Sequence, residues 1–162
     1  MQISYKIAKD ANGGDVVAMD GPIDEHLLDG LRDLAGRVGK QVVLDLSGIQ
    51  QINSIGVRSW LEFMRVFGED RRVRLKDCSA DLAAQMAMIP GVMGEAAVDS
   101  FYVSLFCADC STQGAVLLQV AASADELSEQ VNSFACPSCS EYMEPEDDPE
   151  NLIHALKSRA KP

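Results

Sequence analysis

A chain of 162 residues, 47% hydrophobic and 24% charged, has room for one ordinary domain and a small appendix. Its net charge of −11 argues against any role built on phosphate backbones, which needs clustered Lys and Arg, so no nucleic-acid partner is expected. The apolar runs are short and broken by Asp, Gly or Arg, which excludes membrane insertion; the opening "MQISYKIAKDANGG" has no basic-then-apolar order of a secretory signal, so a cytoplasmic location with reduced thiols is expected.

In chain order, "ISYKIAK" alternates apolar and polar residues as a strand does, "DANGGD" supplies a turn, and "VVAMDG" is its hairpin partner. In "PIDEHLLDGLRDLAGRV", Leu27, Leu28, Leu31, Leu34 and Val38 recur at helical spacing, with Asp24 as N-cap and Gly39 as stop. "QVVLDL" is the continuous apolar run of a strand buried on both faces. From Ile55 to about Phe67 the period is helical again, with Val57, Trp60, Leu61, Met64 and Phe67 on one face. "RRVRLKD" reads as a strand and "SADLAAQMAMI" as a helix capped by Ser79 or Asp81 and ended before Pro90. "AAVDSFYVSLF" reads as one further strand. Strands alternating with helices after an initial hairpin predict an α/β (α+β) unit, a mixed β-sheet with its helices packed as a layer, over residues 1–104.

Residues 105–162 read as a second unit. The first 104 residues carry about −4 of the charge and the remainder about −7, and four of the five cysteines lie in the remainder. "GAVLLQVAA" reads as a strand between "FCADCS" and "FACPSCS". "PENLIHALKSRA" reads as a helix capped by Asp148, with Lys157 and Arg159 near its C-terminal dipole end.

Two places carry chemistry. The first is the turn at Asn53-Ser54, where either side chain can cap the following helix, worth about 1 kcal/mol, and Gly56 lets that helix start close to the sheet. "VVLDLSGIQQINSIGVRSWL" resembles the signature of the STAS domain of anti-sigma factor antagonists: an apolar strand, Asp, often Ser, then a loop reading Asp-Ser-Ser/Thr-Gly before a helix. "VAMDGPID" upstream and "LAAQMAMIPGV" downstream resemble two further segments of that family, in the same order. The resemblance spans residues 1 to about 100. It implies a STAS-like fold and a protein partner of the anti-sigma factor or serine-kinase type, with Ser54 as phosphate acceptor. Asn53 stands where the family has Asp, and Ile55 where it has Ser or Thr. Asp24 matches a family aspartate near the acceptor and is equally a plain N-cap. By this resemblance Asp24, Asn53, Ile55, Gly56, Arg58 and Ser59 form the partner-binding region, while helical spacing assigns Phe63 to the core. Arg58, Glu62 and Arg65 are spaced for surface ion pairs.

The second place is the pair of CxxC elements. Cys107 and Cys110 are separated by 25 residues from Cys136 and Cys139, and two such knuckles complete a tetrahedron around one ion. The pattern resembles a zinc ribbon, with Ser111 and Ser140 at the usual knuckle glycines. A structural Zn²⁺ with no open position is the leading reading; an iron–sulfur cluster accepts the same four thiolates, and a redox dithiol or disulfides fit the context less well. Cys78 has no sequence partner and reads as a small buried residue, and His154 as a surface residue. No nucleophile–base pair, open metal site or phosphate-cradling loop is visible, so a regulator that binds a partner under control of Ser54 is expected, not an enzyme. The competing expectation is an unphosphorylated scaffold or ligand-sensing adaptor with a structural zinc site, in which Ser54 only caps.

Overall fold

The computed structural model describes residues 2–89 and 91–158; Pro90, expected to stop a helix, and Arg159, expected at a dipole end, lie outside the described residues. The first sheet has five strands in the order of the chain: β1 (Ser4–Lys9), β2 (Asp15–Ile23), β3 (Gln41–Ile52), β4 (Arg72–Lys76) and β5 (Ala97–Val98). β1 is antiparallel to β2, and every later neighbour is parallel. Strands laid down in one direction without reversal, joined by right-handed crossovers, put the connecting helices on one face. Burial follows: Val17, Met19, Leu44, Leu46 and Leu75 are buried, while the alternate residues Val16, Ala18, Val43 and Arg74 stay half-exposed.

The helix expected over 22–38 is two pieces, a 3-10 turn (Leu27–Gly30) and α1 (Leu31–Arg37). Asp24 caps the tight turn instead of a long helix: its carboxylate accepts from the His26 N–H at 2.9 Å and its carbonyl from the Leu27 N–H at 3.2 Å. Tyr5 of β1 packs against the break: its hydroxyl donates to the Leu27 carbonyl, and its ring would lie 3.1 Å from a Cβ at position 30, a tight contact. Gly39 lies past the end of α1 and donates its N–H to Asp15 at 2.7 Å.

α2 (Ser54–Gly68) buries Trp60, Phe63, Met64 and Phe67, with the three aromatic rings stacked 5.6 and 5.2 Å apart. Leu61, expected on that face, is exposed. α3 (Ala80–Met88) is capped by Ser79, whose hydroxyl accepts from the Leu82 N–H.

The stretch expected as one strand over 96–106 divides at Asp99. β5 closes the first sheet, and β6 (Ser100–Phe106) is the centre of a second, antiparallel one, between β7 (Gln113–Gln119) and β8 (Glu144–Pro145). The expected boundary at residue 104 therefore falls inside β6. Asp77 turns the chain out of β4 at φ 51°, its N–H donating to the Ser100 hydroxyl and its carboxylate accepting from it, both at 2.7 Å. Cys78 then pairs in parallel with Phe101. This bridge ties the chain leaving β4 to β6 of the second sheet, and one apolar cluster runs through both sheets. α4 (Ala124–Asn132) and α5 (Pro149–Lys157) complete the molecule, α5 packing on α3 and α4. α4 escaped the sequence reading, although Ser123 and Glu126 are spaced as a capping box and Leu127 and Val131 form its buried stripe. Lys157 closes the assembly by donating to the carbonyls of Val120 and Ala122 at 2.8 and 2.6 Å.

Candidate functional site

At the serine turn the two candidate caps have separate tasks. Asn53 is extended at φ −96°, ψ 177°; its side-chain oxygen accepts from the Gly56 N–H at 2.6 Å, and its carbonyl accepts from the Val57 N–H at 2.9 Å. Ser54 is the first residue of α2 and is exposed. Ile55 beside it is 59% exposed, so an apolar side chain flanks the serine on the surface.

Gly56 and Ser59, expected in the partner-facing region, point inward. A Cβ at Gly56 would lie 1.9 Å from the Ile23 carbonyl oxygen, so glycine is required for α2 to start against the end of β2. Ser59 is 8% exposed, one turn further along the same buried side. Phe63 is fully buried in the core. Asp24 is half-buried and shares a shallow pocket of about 370 Å³ with Asn53, Gln50 and Gln51. Arg58 is exposed. Glu62, four residues after it, pairs instead with Arg65 through contacts of 2.6 and 3.0 Å.

The four cysteines of the second unit converge on one point, with all four sulfurs within 4.8 Å of one another. Cys107 and Cys139 are 3.5 Å apart, Cys110 and Cys136 3.6 Å. The knuckles repeat one geometry. Ser111 donates its N–H to the Cys107 carbonyl and Ser140 to the Cys136 carbonyl, each at 2.8 Å, while both serines adopt the left-handed backbone at φ 63° and 68°. That conformation explains why glycine is usual at the knuckle position, and why serine there stores strain. Each knuckle's first cysteine is buried and its second exposed.

Four thiolates at this spacing repel one another. The Thr112 hydroxyl, 3.1 Å from Cys110, holds that thiol below its ordinary range; Thr112 follows the knuckle and was not singled out in the sequence. Burial disfavours a Cys136 thiolate, but the N–H groups of Ser138 and Cys139 outweigh it and bring the thiol down to about 6. At Cys139 the Glu141 N–H favours the anion, yet the neighbouring Cys107, Cys110 and Cys136 sulfurs push the thiol up to about 12. A divalent cation removes that competition. A tetrahedral ion with metal–sulfur bonds of about 2.3 Å sets its ligands about 3.8 Å apart, close to the separations seen here. A cluster interposes several irons and sulfides between its ligands, and these sulfurs stand too close together for one. The residues therefore fit a single metal ion.

Cys78 lies apart from this centre, fully buried, and desolvation pushes its thiol above the ordinary range. His154 is exposed on α5 and is not part of the cysteine cluster. Among the described residues no helix is long and apolar enough to cross a membrane. In comparisons with known proteins, no family model and no curated sequence matches this chain.

Proposed function

We propose that this chain is a regulatory module of the STAS type, which binds a protein partner over the start of α2 and releases it when Ser54 is phosphorylated. The observation that carries this reading is the division of labour at the turn. Asn53 takes the capping hydrogen bond, and the exposed Ser54 hydroxyl makes no hydrogen bond among the described residues. A kinase transfers the γ-phosphoryl group of ATP to the Ser54 oxygen, the hydroxyl proton leaving and ADP departing. The product carries about −1.5 to −2 charges at pH 7. A helix N-terminus tolerates that charge, whereas a protein docked against Ile55 has to accommodate a hydrated dianion. The fold survives and the complex does not. The mixed sheet with one layer of helices supports the STAS resemblance.

The cysteine centre is read as structural Zn²⁺, because four thiolates leave no position for water or substrate. Its part is to hold the second sheet, and the protein's part is binding, not catalysis. Elemental analysis after chelator-free purification is expected to give about one zinc per chain.

The switch is tested by capturing partners from cell extract with Ser54→Ala and Ser54→Asp proteins, and by mapping phosphate by mass spectrometry. Retention by Ser54→Ala and loss by Ser54→Asp are expected. Equal capture by both variants, with no phosphate at Ser54, overturns the switch and favours the constitutive scaffold, for which the exposed Ile55 already offers an apolar contact.

A further inference from the structure

Arg58 lies one helical turn after Ser54. Residues four apart on a helix are neighbours on its surface, and an anion N-terminal to a cation is the favourable order. Arg58 is exposed and makes no hydrogen bond or ion pair among the described residues, since Glu62 is committed to Arg65. It also lines an open groove of about 1520 Å³ between α2, β4 and the 91–97 segment, where five of the chain's eight arginines gather. Three of the five are engaged: Arg65 by Glu62, Arg74 by Asp99, and Arg71 by the carbonyls of Ala35, Gly39 and Phe67. The Arg58 and Arg72 side chains make no hydrogen bond or ion pair among the described residues.

Resting on the reading that Ser54 carries a phosphate, we infer that Arg58 is the residue through which that phosphate acts. The Gly56 and Val57 N–H groups already donate to Asn53, which leaves those of Ser54 and Ile55 for an anion. Asp24 lines the pocket shared with Asn53, so that side of the turn offers an anion and no cation. The phosphate therefore leans along α2 and takes the Arg58 guanidinium in a charge-assisted pair. A partner that sets an Asp or Glu carboxylate on Arg58 loses this contact to an internal competitor. Phosphorylation thus withdraws a cation from the groove as well as adding anionic charge at its end.

The test uses the full chain with phosphoserine installed at position 54 during synthesis, followed by phosphorus NMR against pH. A free phosphoserine titrates near pH 6. Pairing with Arg58 is expected to lower that midpoint by about 0.3 pH units relative to Arg58→Gln, with Arg58→Lys recovering part of the shift. Equal midpoints with arginine and glutamine overturn the inference. The measurement does not depend on any kinase, so a cellular protein lacking phosphate at Ser54 defeats the switch while leaving the pairing result intact.

Discussion

Asn53 and Ser54 are adjacent, polar and able to cap, yet only one of them holds the helix. Asn53→Ala is expected to lose about 1 kcal/mol of stability, whereas Ser54→Ala stays within about 0.5 kcal/mol of the parent, as urea unfolding will show. The reverse ranking would return the serine to a capping role. Gly56 is the stricter requirement at this turn. The Ile23 carbonyl occupies the space of a Cβ, so Gly56→Ala is expected to cost about 3 kcal/mol or to prevent folding, read as a lost or strongly shifted unfolding transition. Asp15 makes a pH-dependent contribution. The Gly39 N–H first, then Lys9 at 2.7 Å, hold its carboxyl below the usual carboxylate range. A depressed carboxyl stabilises the fold fully above its unfolded value of about 4, and this contribution is lost as pH falls through the lower folded value. Asp15→Asn is expected to remove that part of the acid limb, seen by comparing urea midpoints from neutral pH downward.

Among the elements, the passage from β4 to β6 decides how the two sheets are joined. Asp77 adopts a left-handed backbone that a non-glycine residue takes at a cost, and the doubly bonded Ser100 hydroxyl holds it there. Ser100 is 2% exposed, so Ser100→Ala leaves the Asp77 N–H and carboxylate without their partner. A loss of about 1–3 kcal/mol is expected, measured by urea unfolding; no loss would mean that water replaces the hydroxyl freely. By sequence β5 and β6 read as one strand, because "AAVDSFYVSLF" is rich in apolar and aromatic residues and no Gly or Pro marks a break at its Asp99-Ser100 step. The division is visible only in pairing, since Val98 lies beside Leu75 while Phe101 lies beside Cys78 and Leu118. By contrast, α5 was legible because its signals are local: Asp148 accepts from the N–H groups of Glu150 and Asn151, and Pro149 occupies the first turn.

For the whole molecule, continuity of the core matters more than the number of sheets. Phe101, Val103 and Leu105 of β6 belong to the same apolar cluster as Leu75 and Met86, and that cluster reaches Cys107, Cys136 and Met143 at the four-cysteine cluster. A metal ion held by the four cysteines would therefore be coupled to the stability of the entire chain. Stripping the metal with a chelator under reducing conditions is expected to lower the melting temperature on the order of 10 °C in a single calorimetric transition. Two separate transitions, with only one moved by the chelator, would show that the sheets fold independently.

The sequence by itself determined which four cysteines come together as a cluster able to hold a metal ion, most helix and strand positions, and the polar turn before α2. CxxC spacing, apolar period and capping residues all act over a few neighbouring positions. Only the tertiary structure decided that Asn53 caps while the Ser54 hydroxyl makes no hydrogen bond among the described residues, that Gly56 and Ser59 face inward, and that the chain passes from one sheet to the next at Asp99. Those outcomes depend on where the ends of distant strands meet α2 and β6. Burial and strand pairing are set by such long-range contacts, not by the residues alongside.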